Sequence, residues 1–213
     1  DMEARGWYYY DFLVITGDAY VDHPSFGVAV IGRCLEDKGY RVAVLAQPDV
    51  SSSADFLAMG RPRYAALVSG GNIDSMVAHY TAAKKRRHKD SYSPGGEGGR
   101  RPDRAVIRYA GRVREAFPGL PICLGGLEAS LRRFTHYDYW DDAVRRPILL
   151  DAKADILMYG MGERHIIELA DRFKAGKKPA EMGDVRGICY LAPRAEDCLF
   201  PYVEAPSHEE QLR

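Results

Sequence analysis

Short apolar runs recur along the chain, and between them apolar positions return every three or four residues. Residues 12–15 are apolar without alternation and lead into Thr16, as in a strand over 12–16 buried on both faces. Strands are predicted likewise over 41–46, 64–69, 121–124 and 155–159, with a late one over 187–191 and a short one over 148–150. Val28, Ile31 and Leu35 share one helical stripe that Gly39 ends, and Val106, Tyr109, Val113 and Phe117 share another. Ile166, Leu169, Ala170 and Phe173 form a third. Further helices are predicted over 51–59, from Asp74 to about Lys85, and from Glu128 to Arg133. This alternation predicts an α/β fold, a doubly wound and mostly parallel sheet covered on both faces. Right-handed crossovers then gather the loops after the strands on one edge, where such sheets bind ligands.

Two segments break the pattern. Residues 86–102 hold basic residues and a Gly-rich stretch, and are expected to be a flexible insertion or mobile loop. The tail after Pro193 is expected to be an outgoing linker, with 206–213 lacking cap or core. The expected division is therefore an α/β domain over 1–192 and a linker over 193–213.

The candidate chemistry lies in the loops after the strands. The first holds Asp18, Tyr20, Asp22, His23, Ser25 and Gly27. Pro24 and Ser25 suit a first helical turn, whose free N–H groups favour anions. His23 is read as a ligand, a proton carrier or a backbone-bonding cap, and contact with Asp22 would raise its pKa. Gly70, Gly71 and Asn72 follow the third strand, either to let a backbone approach a ligand or to make a tight turn. Gly125 and Gly126 precede Glu128, whose charge suits a helix start; Gly160, Gly162 and Glu163 repeat that design. Each acid is read as a ligand contact or as a helix-terminal charge.

Composition narrows the function. Thirty basic residues balance thirty acidic ones, so no global field points to nucleic acid or an anionic membrane. No apolar run is long enough to span a bilayer. The run Lys84-Lys85-Arg86-Arg87-His88-Lys89 is read as a solvated helix end, and nucleic acid is disfavoured as a partner because no aromatic-interleaved platform accompanies it. The aromatic and acidic cluster over 135–142 is read as a stacking surface, a docking surface or a packed loop. Cys34, Cys123, Cys189 and Cys198 lack metal-site spacing, and a reducing cytoplasm is the expected location. No nucleophile–base pair and no phosphate loop can be identified, so no catalytic or metal-binding residue is assigned.

Several motifs carry a resemblance over nearly the whole chain. They include Thr16-Gly-Asp-Ala-Tyr-Val-Asp-His-Pro-Ser-Phe-Gly27, Ser69-Gly-Gly-Asn-Ile-Asp-Ser-Met76, Gly125-Gly-Leu-Glu-Ala-Ser-Leu-Arg-Arg133 and Asp155-Ile-Leu-Met-Tyr-Gly-Met-Gly-Glu163. The chain resembles the N-terminal region of the YgiQ-type radical-SAM proteins. The resemblance implies a Rossmann- or flavodoxin-like domain similar to cobalamin-binding domains. It also implies a following radical-SAM barrel, absent from this chain, as the domain's own partner. That barrel would hold a 4Fe-4S cluster and S-adenosylmethionine in the full-length protein and act by radical chemistry on an unknown substrate. No CxxxCxxC occurs here, so this chain alone is expected to bind neither and not to be catalytic. Nor does the first loop read DxHxxG, the motif that supplies cobalamin's lower axial histidine. Many cobalamin-type radical-SAM domains also lack that motif, but the 86–102 insertion is expected to sit on the ligand-facing half and could obstruct a corrin ring. Cobalamin or nucleotide binding is therefore a minor alternative to an accessory domain, and pure domain docking is a third.

Overall fold

The computed structural model describes residues 2–194, 198 and 200–212. Its strands are β1 (Phe12–Thr16), β2 (Val42–Ala46), β3 (Ala65–Ser69), β4 (Ile122–Gly125), β5 (His136–Asp138), β6 (Ala143–Arg145), β7 (Ile156–Met158) and β8 (Ile188–Tyr190). Its α-helices are α1 (Gly27–Asp37), α2 (Ala54–Leu57), α3 (Ser75–His79), α4 (Ala105–Ala116), α5 (Gly126–Leu131), α6 (Ile148–Asp151), α7 (Glu163–Lys174) and α8 (His208–Gln211).

Six strands form one sheet in the order β2-β1-β3-β4-β7-β8, and β5 and β6 pair as a separate hairpin. β2, β1, β3, β4 and β7 run parallel, whereas β8 closes the edge antiparallel to β7. All five side chains of β1 are buried, as its unbroken apolar run requires. Alternate residues feed two cores. Leu13, Ile15, Ala66, Val68, Ile122 and Leu124 pack with Phe56 of α2, Tyr109 and Val113 of α4, Ala129 of α5 and Ile148 of α6. Phe12, Val14, Leu67, Cys123 and Ile156 pack with Leu35 of α1 and with Ile166, Leu169 and Phe173 of α7. α1 has no side-chain cap bond, so packing holds it. Burial of a Leu such as Leu35 contributes about 1.5–3 kcal/mol.

Four expectations are corrected. The helix from Asp74 stops at His79, because Tyr80 is extended and the chain turns back through bridges Tyr80–Arg86 and Lys89–Glu97. The basic run therefore does not end a helix. Residues 86–102 do not hang free: Asp90, Ser93 and Arg101 are buried, and the Ala19 N–H donates to the Tyr92 carbonyl at 2.8 Å. Residues 148–150 are helical, since a short buried apolar run does not distinguish a strand from a helical turn. Near the end, Ser207 and Glu210 cap α8 reciprocally, each side chain accepting the other's backbone N–H. Within the expected linker, residues 195–197, 199 and 213 lie outside the described residues.

Candidate functional site at the strand-order switch

The strand order reverses between β1 and β3, so the loops after them diverge and leave a crevice. A cleft of about 340 Å³ opens there, on the sheet face covered by α1 and α7. Its floor is apolar, made by Val14, Leu67, Cys123 and Met158. Ser25, Gly27, Gly71, Asn72, Gly125, Gly126, Gly160, Gly162 and Glu163 line its walls, so the four loops after β1, β3, β4 and β7 meet in one place. Glu163 is the one charged side chain among the described residues lining it. None of residues 86–102 lines it, so the insertion does not obstruct it.

The wall between α1 and β3 is built by Asn72. Its Oδ1 accepts from the Gly27 N–H at 3.4 Å, and its Nδ2 donates to the Ser25 carbonyl at 3.0 Å. One amide therefore fixes the start of α1 against the loop after β3. Gly71 and Gly126 have φ of +102° and +81°. A Cβ at Gly71 would run into the Asp18 carboxylate, and one at Gly126 would come 2.5 Å from the Ser69 Oγ.

Other candidates lie elsewhere. His23 is exposed and outside the cleft lining, and its Nδ1 accepts from the Ser25 N–H at 3.1 Å. Asp22 does not pair with His23 but with Arg33 of α1. This ion pair lowers the pKa of the Asp22 carboxyl. Tyr20 is half exposed and lines a separate pocket with Trp7 and Arg33.

Asp18, Gly70 and Glu128 support the cleft from behind. Arg101 is fully buried and pairs with Asp18 at 2.8 Å and Asp90 at 3.2 Å. It also donates to the carbonyls of Gly70 at 2.6 Å and Ile73 at 3.3 Å. Asp18 in turn accepts from the Asn72 N–H at 2.7 Å. One guanidinium thus joins the loops after β1 and β3 to the insertion. Burial raises the Asp18 pKa, and the Asn72 N–H and Arg101 pull it back.

Glu128 is buried, and its role is not that of a charge on its own helix. Its Oε2 accepts from the Ser75 N–H at 3.0 Å and its Oε1 from the Val106 N–H at 3.1 Å. It therefore caps α3 and α4 together. Burial raises its pKa, as does the Asp74 carboxylate nearby. Asp74 caps α3 through the Met76 and Val77 N–H groups and pairs with Arg132.

Sequence reasoning missed Arg101 and Asp90, because nothing marks one arginine of a basic, glycine-rich segment as buried. It also missed the floor: Cys123 and Met158 read only as core. Burial drives the Cys123 thiol well above its ordinary pKa, as for a wall residue of the core. Among the described residues, no group of three or more His, Cys, Asp or Glu side chains is placed to hold a metal ion. No helix is long and apolar enough to cross a membrane among the described residues.

The Radical SAM N-terminal family matches residues 1–213. A UPF0313 protein of Clostridium botulinum is 54% identical over 210 residues, covering 99% of this chain and 33% of that protein. A UPF0313 protein of Rhodopseudomonas palustris is 57% identical over 199 residues, covering 93% of this chain and 29% of that protein. The chain therefore spans about a third of the length of these relatives. Among solved structures, the radical S-adenosylmethionine methyltransferase TsrM of Kitasatospora setae shares the fold. With tryptophan substrate and the SAM analogue aza-SAM bound, its TM-score is 0.56 at 17% identity, covering 85% of this chain and 28% of that one. With cobalamin and a [4Fe-4S] cluster bound, its TM-score is 0.55 at 17% identity, covering 86% and 29%. Matched along its whole length by that family and more than half identical to these relatives, the chain belongs to the Radical SAM N-terminal family, in its YgiQ-type, UPF0313 branch.

Proposed function

We propose that this chain is the accessory domain of a radical-SAM enzyme and that its switch-point cleft receives part of the substrate. The observation that carries this reading is the family match over residues 1–213 in relatives that are about three times as long. The remaining length would supply the barrel, with the 4Fe-4S cluster, S-adenosylmethionine and the radical chemistry; residues 193–213 would lead toward it. Exposed Leu127 and Met161 at the cleft support docking of that barrel here. The cleft suits a largely apolar group with one donor for Glu163. It lacks Lys, Arg and His among its described lining residues, so it offers no cation to a phosphate.

A second reading, cobalamin as the occupant, is favoured by the fold shared with a cobalamin-bound structure. Against it, His23 stands outside the cleft, so the residues present do not supply an axial imidazole.

The test uses the full-length protein, purified without oxygen and reconstituted with iron and sulfide. It is incubated with S-adenosylmethionine and a reductant, with and without cobalamin. The accessory reading expects 5′-deoxyadenosine without bound corrin. Corrin absorbance that a cleft-filling Gly27→Leu abolishes would replace it with the cofactor reading. Absence of deoxyadenosine, where a control radical enzyme works, would overturn the enzyme assignment.

A further inference from the structure

The basic run and the hairpin aromatics lie far apart in sequence, yet the fold places them together. Lys84, Lys85, Arg86, Arg87, His88 and Lys89 are all exposed. The Lys84 ammonium sits 4.8 Å from the ring centroid of Tyr139 and donates to the Trp140 carbonyl at 3.3 Å. The Tyr139 hydroxyl donates to the Ala82 carbonyl at 2.6 Å, and Trp140 packs on Tyr80 with centroids 5.1 Å apart. Tyr137 and Tyr139 remain 59% and 48% exposed beside this contact. The aromatic platform missing from the linear run is thus supplied by residues 137–140.

The charge here is also unusual for this chain. Arg5, Arg33, Arg101, Arg104, Arg112, Arg114, Arg132, Arg145 and Arg172 are each ion-paired. Among the described residues, the five Lys and Arg side chains of the run form no ion pair. The nearby acids are engaged elsewhere. Asp103 binds His79 and Tyr80, Asp141 pairs with Arg104 and Arg145, Asp142 accepts from Tyr137, and Glu97 pairs with Arg100. Unneutralised cations beside exposed rings match a polyanion with flat, stackable faces.

We propose that the 84–89 run and the 137–140 aromatics form a binding surface for single-stranded nucleic acid. The cations take the phosphates, and Tyr137 and Tyr139 stack on bases. Duplex lacks unstacked bases and uses the cations alone. An anionic lipid surface would use the cations without needing exposed tyrosine rings. The inference rests on side chains outside the cleft and stands apart from the reading given to it.

The test is fluorescence anisotropy of the full-length protein with labelled single-stranded RNA and DNA of about 16 nucleotides, the matching duplex, and phosphatidylserine vesicles. Single strands are expected to bind more tightly than duplex, with affinity falling steeply between about 50 and 200 mM salt. Which of the two single strands binds better identifies the source. Tyr139→Ala is expected to weaken binding about tenfold or more, whereas Tyr139→Phe keeps the ring and the affinity. Lys85→Gln with Lys89→Gln should flatten the log–log salt slope by about 0.7 per cation. Unchanged circular dichroism and melting midpoint confirm that each variant is folded. Duplex binding as tight as single-strand binding, with Tyr139→Ala silent, overturns the proposal. So does binding to vesicles but not to nucleic acid, or no binding at all.

Discussion

The guanidinium of Arg101 is sealed from solvent and donates to the Gly70 carbonyl at 2.6 Å. Gly70 ends the run that enters the switch point, and Arg101 comes from a segment thirty-one residues later. The contact therefore sets the loop after β3, and with it Gly71 and Asn72, before any ligand arrives. Asp18 and Asp90 share the same guanidinium, so its loss strands both carboxylates at once.

Replacing Arg101 by Met should leave two buried carboxylates without a counter-ion. Such losses cost about 3–5 kcal/mol. Urea unfolding should show this as a lower midpoint at constant slope. Arg101→Lys keeps the charge but cannot reach Asp18, Asp90, Gly70 and Ile73 at once, and should recover only part of the loss. A midpoint for Arg101→Met equal to that of the parent chain would show that the network contributes nothing.

Two glycines of the cleft should respond oppositely to alanine. At Gly71 a side chain meets φ of +102° and the Asp18 carboxylate, so Gly71→Ala should destabilise by about 1–3 kcal/mol. At Gly27 a Cβ has no neighbour within 4 Å, so Gly27→Ala should leave the melting midpoint unchanged or slightly raised. Equal effects at both positions would contradict the cleft geometry.

Glu128 should make stability fall as pH rises above the ordinary carboxylate range. Its pKa is raised in the folded chain by burial and by Asp74. Between the unfolded and folded values the folded chain holds more protons, so raising pH through that window favours unfolding. Glu128→Gln cannot titrate, and its stability profile should be flatter across the window. Parallel profiles for the two proteins, from urea midpoints at a series of pH values, would refute the assignment. Glu128→Ala should cost roughly 2–4 kcal/mol below that window and less above it, since it strands the buried N–H groups of Ser75 and Val106 but removes the titrating carboxyl.

Particular elements mark how far sequence reasoning reached. The unbroken run of β1 and the stripe Ile166, Leu169, Ala170, Phe173 of α7 were legible, because burial on two faces or one imposes its pattern on neighbouring residues. The same holds for the glycine turns after β3, β4 and β7, which topology alone sends to one edge. By contrast, the helix from Asp74 was expected to run on to Lys85, but His79 and Tyr80 both turn to Asp103 and end it.

The sequence by itself determined an alternating α/β chain with its glycine loops gathered on one sheet edge, since period and turn chemistry are local properties. Only the tertiary structure decided that Arg101 would be buried, that Glu128 would cap two neighbouring helices, and that Tyr139 would lie under Lys84. Each of those depends on partners tens of residues away. A buried charge is set by what closes around it, and no local pattern encodes that.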